Sequence, residues 1–392
     1  MTAVGIDQIG VYTPAQYIET TELAKRRQVD PNKFTIGIGQ DQMAVPNPTT
    51  DIVSMGANAA RVFLSKVDTS KIGLLIVGTE SGIDQSKASA LFIKSILNLP
   101  NEMRAFEIKE ACFGATAGIM TAQDYVKSHP GKTALVIASD ISRYGLNSGG
   151  EVTQGAGAVA MLISEHPRIL EFLPQSASYS DDVNDFWRPN YSATAFVDGK
   201  YSTEKYLEFF THTFNDYLKQ TNLKVADFEA LTYHLPFTKM GIKAQRLAVE
   251  GQSDKTQTRL SRHFEESAKY CRQIGNLYTG SLYLSLVSLL HHKNLKSGDL
   301  IGLYSYGSGS VAEFFAGHLV NGYQNQLSAN QMADFITSRQ LLSIDEYEAI
   351  YTECGKIRTD DYELMPEAVV SDGEVYFAGV KDHLRQYKVK GA

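Results

Sequence analysis

The sequence has little of what marks secreted, membrane-spanning or nucleic-acid-binding proteins. Three cysteines in 392 residues cannot build a disulfide framework, which favours a reducing compartment. The first residues contain neither a basic region nor an apolar core, which argues against a secretion signal. The most apolar helical run, residues 280 to 290, is too short to span a bilayer, and the net charge of -7 offers no attraction for nucleic acid or acidic membranes. We therefore expect a cytoplasmic protein that binds neither nucleic acid nor membranes.

What the chain does contain is enough apolar sequence for a sizeable core, because 43% of its residues are hydrophobic. The apolar runs KIGLLIVG (residues 71–78) and TALVIASD (residues 133–140) read as buried strands, with helical segments between them. Asp51 is placed to cap a helix that runs to Lys66. This alternation of strands and helices predicts an α/β fold with a mostly parallel sheet.

Two segments of the chain resemble each other weakly. GAGAVAMLIS (residues 155–164) and GSGSVAEFFA (residues 307–316) each follow an apolar strand, and a helix rich in small residues precedes each strand. The repeat predicts two fused copies of one α/β unit, residues 1–170 and 171–392, with an extension from about residue 327. Paired Gly-x-Gly segments also occur in dinucleotide-binding proteins, but there they open a helix, whereas these glycines precede apolar strands.

A cysteine stands directly before the first small-residue helix. At such a position the Cys112 thiol faces unpaired backbone N–H groups and the positive end of the helix dipole, which favour the thiolate. A free cysteine is also among the residue types most often buried, so simple packing is the competing interpretation. The internal repeat places Asn276 in the second half where Cys112 stands in the first.

Polar side chains follow two of the predicted strands. Glu80 comes after the strand at residues 71–78, and His234 comes after the strand in FEALTYH. Ligands of open α/β sheets bind at the carboxyl ends of strands, so both are catalytic candidates, although a capping acid and a core histidine are the simpler alternatives. A thiolate can carry an acyl group, a carboxylate can remove a proton from carbon, and an imidazole with an amide can bind negative charge that develops on oxygen. Together these groups suit carbon–carbon bond formation between thioesters.

The motifs around these residues resemble those of the bacterial-type 3-hydroxy-3-methylglutaryl-CoA (HMG-CoA) synthases, in the thiolase-like condensing-enzyme superfamily. The resemblance covers nearly the full length through the following motifs: GTES, EACFGATAG, YHLPFTKM, GNLYTGSLY and YGSGSVAEFF. It implies the duplicated five-layer αβαβα thiolase-like fold. It also implies the condensation of acetyl-CoA with acetoacetyl-CoA and water to HMG-CoA and CoA, a reaction of the mevalonate pathway.

The same resemblance implies roles for individual residues. Cys112 would carry the acetyl group, Glu80 would deprotonate its methyl group, and His234 would polarise acetoacetyl-CoA. The positions that match substrate contacts of the family are Asn276, Ser308, Thr153, Ser202, Lys239, Lys243, Asp30 and Lys33. Backbone N–H groups at Cys112 and Ser308 match its oxyanion donors. The family further implies a homodimer, acyl-CoA substrates, and no metal or prosthetic group, whereas Phe113 departs from the tyrosine of many relatives.

Other functions share part of this pattern. A ketoacyl synthase III-like enzyme uses the same cysteine, histidine and asparagine, but it lacks a glutamate at the position of Glu80. A synthase acting on carrier-protein thioesters would keep Glu80 and would replace the nucleotide contacts with a protein dock. The third alternative is an inactive scaffold on the same fold, which the intact Cys112, Glu80 and His234 disfavour.

Three local patterns complete the expectations. The aromatic, acidic and irregular stretch at residues 174–203 is typical of a loop or small insertion. Thr203 predicts the start of a helix that runs to Gln220. Near the C-terminus, Asp372-Gly373 between two extended runs predicts a hairpin turn.

Overall fold

The computed structural model of the protein describes residues 3–192, 194–366 and 368–391. Its α-helices are α1 Thr20–Arg26, α2 Ile52–Leu64, α3 Ser89–Ile96, α4 Gly114–Ser128, α5 Gly199–Thr221, α6 Thr238–Val249, α7 Asp254–Ile274, α8 Ser281–His292, α9 Ala329–Ser338 and α10 Ile344–Cys354. Its strands are β1 Val4–Tyr12, β2 Gln16–Glu19, β3 Gln42–Ala44, β4 Ile72–Gly78, β5 Arg104–Ile108, β6 Thr133–Ile141, β7 Ala156–Glu165, β8 Leu170–Ser180, β9 Phe186–Trp187, β10 Phe196–Val197, β11 Ala230–Tyr233, β12 Leu300–Gly307, β13 Val311–Leu319, β14 Gln340–Leu341, β15 Tyr362–Glu363, β16 Val375–Lys381 and β17 Leu384–Val389.

Nine strands form one large sheet in the order β11-β12-β13-β8-β1-β7-β6-β4-β5. The prediction of a mostly parallel sheet is wrong. Within the described residues three neighbouring pairs, β4–β5, β4–β6 and β11–β12, are parallel, and the other five are antiparallel. The connections from β6 to β7 and from β12 to β13 contain no α-helix, and each of these two pairs of strands is antiparallel. Strand β1 lies between β7 and β8 and pairs antiparallel with both.

The helices cover this sheet in three layers. α4 and α8 lie together in the middle, where Ile119 and Leu286 share one core with residues of β4, β6 and β12. Helices α2 and α3 cover the outer face of the β4–β6–β7 part, and α5, α6 and α7 cover the outer face of the β11–β12–β13 part. The two parts of the single sheet thus lie on opposite sides of α4 and α8, so the order is helix, sheet, helix, sheet and helix, which makes five layers. The predicted division at residue 170 falls where β8 begins and stays a prediction.

The helix starts follow the polar side chains that can cap them. Asp51 caps α2 as predicted, because its carboxylate accepts the Ser54 N–H while Ser54 Oγ accepts the Asp51 N–H. The prediction that Thr203 starts a helix is wrong. Asp198, five residues before Thr203, caps α5 by accepting the N–H groups of Lys200 and Tyr201. The Thr203 hydroxyl instead donates to the Gly199 carbonyl inside the helix.

The stretch at residues 174–203 is only partly a loop. Strand β8 continues to Ser180, because β13 supplies its hydrogen-bond partners along almost its whole length. After β8, strands β9 and β10 pair as a short antiparallel ribbon. We call residues 186–192 and 194–197 the aromatic flap. Its formation could not be read from the sequence, since its polar and aromatic residues do not alternate regularly.

The C-terminal region packs against α2. Asn58 exchanges two hydrogen bonds with the Val375 backbone, and Arg385 and Tyr387 both donate to Asp51. Asp372 and Gly373 form a turn as predicted, since the Glu374 N–H donates to the Ser371 carbonyl and Gly373 has φ of 87°. The prediction of a hairpin there is wrong, because residues 368–371, directly before this turn, form no strand. The tight hairpin turn, between β16 and β17, is formed by Asp382 and His383 in left-handed conformations. None of the described helices combines the length and apolar character needed to cross a bilayer.

Candidate active site

A cavity of about 650 Å³ opens at the carboxyl ends of β11 and β12 and at the starts of α4 and α8. It brings together six of the residues singled out in the sequence: Cys112, His234, Asn276, Ser308, Thr153 and Ser202. Glu80 lies beside Cys112, two residues beyond the end of β4. Residues far apart in the chain therefore meet because both helix starts and the strand ends face one point.

The nucleophile candidate and the base candidate are in direct contact. Cys112 Sγ donates a hydrogen bond to Glu80 Oε1 at 3.1 Å. The start of α4 can approach the end of β4 this closely because Gly78 has no side chain; a Cβ there would lie 2.4 Å from the Ala115 nitrogen. Ala111, the residue before Cys112, has a left-handed backbone conformation with φ of 39°.

The charges around this pair suppress ionisation in the resting site. Burial, and next the nearby Asp140 carboxylate, raise the pKa of Glu80 to about 8, although the Cys112 hydrogen bond and Arg188 act in the opposite direction. Burial and the neighbouring Glu80 raise the pKa of the Cys112 thiol well above its ordinary value. The expectation that the helix start favours a thiolate is therefore wrong, because burial and then the neighbouring carboxylates outweigh the effect of the helix dipole on the thiol.

Asp140 holds the bottom of the site together, although it was not among the residues predicted from the sequence. This fully buried carboxylate accepts from Thr79 Oγ1, from the N–H groups of Glu80 and Ser81, and from Thr279 Oγ1. Asp140 thereby connects residues 79–81, which we call the Glu80 loop, to the segment that leads into α8. A signal was present, because Asp140 ends the apolar strand TALVIASD just as Glu80 follows KIGLLIVG.

His234 is held as a neutral imidazole. Its backbone N–H donates to the Tyr304 carbonyl at 2.7 Å, and its own carbonyl accepts from the Tyr206 hydroxyl at 2.8 Å. Burial lowers the pKa of His234 to about 3. Its ring Nδ1 is buried without a hydrogen-bond partner among the described residues. A neutral ring on the cavity wall can donate one hydrogen bond and accept another.

The amide of Asn276 is oriented by its neighbours. Oδ1 accepts the Tyr278 N–H and the Ser281 hydroxyl, both at 2.8 Å. Because the oxygen is occupied, the NH₂ group is the donor, and it reaches Tyr144 Oη at 3.1 Å. The Asn276 N–H also donates to the Thr153 carbonyl. Two of the predicted binding residues thus support each other.

Ser202 and the loop after Ser308 are linked through Asp185. The Asp185 carboxylate accepts from Ser202 Oγ at 2.9 Å, from Tyr306 Oη at 2.9 Å and from the Gly309 N–H at 3.0 Å. Gly309 therefore has no N–H left for a ligand. The proposed oxyanion donors, the N–H groups of Cys112 and Ser308, stay predictions.

Four of the predicted substrate contacts lie outside the cavity lining: Lys239 and Lys243, predicted near CoA, and Asp30 and Lys33, predicted near its nucleotide end. Lys239 and Lys243 are half-buried on α6, the helix whose Met240 lines the cavity. Asp30 and Lys33 are exposed, and Lys33 begins a π-helical turn that ends at cavity-lining Ile38. Their positions border the cavity without completing its wall.

Aromatic rings form much of the wall, and the sequence reasoning did not place them there. Tyr144, Phe186 and Tyr278 meet edge to face, with ring centroids 5.9 to 6.1 Å apart, and Tyr306 lies nearby on β12. Their sequence spacing is irregular, so no periodic pattern connects them. In the described part of the chain no group of three or more His, Cys, Asp or Glu side chains is placed to hold a metal ion.

Comparison with known proteins identifies the family. The family model for the N-terminal part of hydroxymethylglutaryl-coenzyme A synthase matches residues 1–167, and that for the C-terminal part matches residues 247–390. The chain belongs to the hydroxymethylglutaryl-CoA synthase family. The hydroxymethylglutaryl-CoA synthase of Enterococcus faecalis is 50% identical over 351 residues, which is 89% of this chain and 92% of that protein.

Further relatives agree with the family and its fold. A solved HMG-CoA synthase structure in complex with CoA matches with a TM-score of 0.95 and 39% identity, over 99% of this chain and 100% of that one. The polyketide biosynthesis 3-hydroxy-3-methylglutaryl-ACP synthase PksG of Bacillus subtilis is 32% identical over 419 residues, 99% of each chain. The predicted thiolase-like α/β fold is confirmed. As an HMG-CoA synthase of the mevalonate pathway, the protein condenses acyl-CoA thioesters, acetyl-CoA with acetoacetyl-CoA.

Proposed function

We propose that Cys112 and Glu80 carry the chemistry of the HMG-CoA synthase reaction in this chain. The observation that supports this assignment best is the 3.1 Å contact between Cys112 Sγ and Glu80 Oε1 beside the 650 Å³ cavity. An acetyl group on that sulfur places its methyl carbon next to the carboxylate. One base is therefore positioned for one carbon acid.

In the first step Cys112 attacks the carbonyl carbon of acetyl-CoA. The new bond joins Sγ to the acetyl carbon, the bond to the CoA sulfur breaks, and the Cys112 proton ends on the departing CoA thiol. The raised pKa of the Cys112 thiol means that this proton is still present when the substrate arrives. The step leaves an acetyl thioester on the enzyme.

In the second step Glu80 takes a proton from the acetyl methyl group. The resulting carbanion bonds to the C3 carbonyl carbon of acetoacetyl-CoA, and that carbonyl oxygen becomes an alkoxide that is then protonated. The neutral His234 ring and the Asn276 NH₂ group face the cavity, where they can donate hydrogen bonds to this oxygen. Hydrolysis by one water releases HMG-CoA and restores the Cys112 thiol.

The remaining expectations belong to the same proposal. Thr153, Ser202 and Ser308 contact the acyl and pantetheine part of the substrates, and the other predicted contacts lie toward the nucleotide end: Lys239, Lys243, Asp30 and Lys33. The thioester acidifies the methyl group and Glu80 removes the proton, so we propose that no metal or prosthetic group takes part. We further propose a cytoplasmic homodimer, which is supported by β5, an exposed or half-buried strand at one edge of the large sheet.

Intact-protein mass spectrometry tests these assignments. The native chain, Cys112→Ser and Glu80→Gln are exposed briefly to acetyl-CoA and then to acetoacetyl-CoA. We expect an acetyl adduct on native protein and on Glu80→Gln, but not on Cys112→Ser, and clearance with HMG-CoA formation only for native protein. Native-rate condensation by Glu80→Gln would refute its role as the base. Clearance only by an acylated carrier protein would change the second substrate and keep Cys112.

A further inference from the structure

The aromatic flap covers one side of the active-site cavity. Its two short strands pair Phe196 with Trp187 and Val197 with Phe186. Phe186, Phe196 and Val197 line the cavity. The partly exposed Trp187 stacks on Phe196, with 5.7 Å between the two ring centroids. The flap thus forms an apolar part of the cavity wall.

Hydrogen bonds of Asp185 hold the two ends of the flap. Asp185, which is fully buried, precedes the first flap strand, and its carbonyl accepts the Asp198 N–H that closes the second. The Asp185 carboxylate is itself held by Ser202, Tyr306 and Gly309. Any displacement of the flap must therefore occur beyond these anchors.

Two contacts hold the flap over the site. Phe186 packs edge to face against Tyr144 and Tyr278. The half-buried Arg188 guanidinium donates a hydrogen bond to the backbone carbonyl of Glu80. Through this hydrogen bond Arg188 connects the flap to the Glu80 loop. It also brings a positive charge close to Glu80, the residue proposed as the base.

We propose that Arg188 is a positioning residue for the condensation step, because it fastens the aromatic flap to the Glu80 loop and places positive charge beside the Glu80 carboxyl group. The inference rests on the proposed role of Glu80 as the base. It assigns no contact between Arg188 and the reacting atoms; the residue acts through Glu80.

The charges around Glu80 explain why a cation matters there. Cys112 donates to its carboxylate, and Asp140 and Glu110 both disfavour its ionised form. Arg188 is the cation that opposes them among the groups acting on Glu80 in the described chain. Without Arg188, burial and two carboxylates would act against a charged base, and the Cys112 hydrogen bond cannot offset them once the sulfur carries the acetyl group.

The test measures acetylation and condensation separately in Arg188→Gln and Arg188→Lys. Acetyl adducts are formed with acetyl-CoA, and the rate at which acetoacetyl-CoA consumes them is followed from pH 6 to pH 9 by quenched mass spectrometry. Neutralising an arginine beside a carboxylate moves its titration by roughly one unit or more. We therefore expect Arg188→Gln to acetylate at close to the native rate, with the midpoint of its condensation profile raised by about one pH unit and condensation about tenfold slower at pH 7.

Arg188→Lys keeps the charge and should recover most of the native profile. The matched control is Arg262→Gln, which removes the same charge from an exposed position on α7 and should leave the profile unchanged. A native pH profile for Arg188→Gln would overturn the inference, and so would equal impairment of the lysine variant. Glu80→Gln distinguishes the two proposals. If Glu80→Gln condenses at the native rate, Glu80 is not the base. If Glu80→Gln loses condensation while Arg188→Gln keeps the native pH profile, only the positioning role of Arg188 is refuted.

Discussion

Replacement of Arg27 by methionine should destabilise the protein far more than a surface arginine replacement. Arg27 directly follows α1, and its guanidinium donates to both carboxylate oxygens of Glu151, at 2.8 and 2.7 Å, and to Glu348 at 2.5 Å. The Glu151 side chain is only 2% exposed. Without Arg27 the buried Glu151 carboxylate would keep only neutral donors, the Asn147 N–H and the Tyr347 hydroxyl. Burial of a charge without an opposite charge is costly.

The magnitude follows from this burial. Removal of one partner from a buried ion pair costs about 3 to 5 kcal/mol of the free energy of unfolding, whereas an exposed pair is worth about 0 to 1 kcal/mol. Arg26, the preceding residue, pairs with Asp345, whose side chain is 81% exposed. Arg26→Met is therefore a matched control in the same helix, and we expect it to cost less than about 1 kcal/mol.

The assay is urea unfolding at pH 7 of the native chain, Arg27→Met, Arg26→Met and the double variant Arg27→Met/Glu151→Gln. The double variant buries no unpaired charge and should recover much of the lost stability. Activity should fall as well, because Glu151 begins the turn that ends at Thr153, whose carbonyl accepts the Asn276 N–H. The reasoning is refuted if Arg27→Met is no more destabilising than Arg26→Met, or if the second substitution adds to the loss.

Three further predictions follow from the site. Burial and Asp140 raise the pKa of Glu80 to about 8, and acetylation of Cys112 removes a hydrogen bond that lowers this pKa. Because only the ionised form of Glu80 can take a proton, the rate of condensation by acetylated enzyme should still rise with pH at pH 8 in a single-turnover pH profile. A flat profile from pH 6 to pH 9 would contradict this. The same raised pKa means that Glu80 contributes stability below its unfolded value near 4.5 that is lost as the pH rises through about 8. Gly307→Ala should lower acetylation of Cys112 and destabilise the fold by about 1 to 3 kcal/mol, because a Cβ there would lie 2.7 Å from both the Glu110 carbonyl and Phe113 Cβ. Adduct formation and thermal unfolding measure both effects, and native values for this variant would be evidence against close packing of the β12 end on the Cys112 segment.

Much of the fold could be predicted because each element carries a local signal. Uniform apolar runs mark β4 and β6, Asp51 marks the start of α2, and Glu80 and His234 stand where strands end. These signals depend on neighbours within a few residues, so they survive without knowledge of the rest of the chain. The predicted turn at Asp372-Gly373 shows the limit, since a turn pair alone does not say which strands it joins.

The sequence by itself determined the α/β class, the start of α2 at Asp51 and the candidates Cys112, Glu80, His234 and Asn276, because these depend on local periodicity, capping and the repeat. Only the tertiary structure decided the antiparallel joints of the large sheet, the continuation of β8 along β13, and the aromatic wall around Tyr144. It also decided the charge state of the site. A helix start alone favours a thiolate, but burial and the carboxylates of Glu80 and Asp140 keep the Cys112 proton in place. Pairing, burial and electrostatics are sums over groups distant in the chain, and they take their values only when the fold brings those groups together.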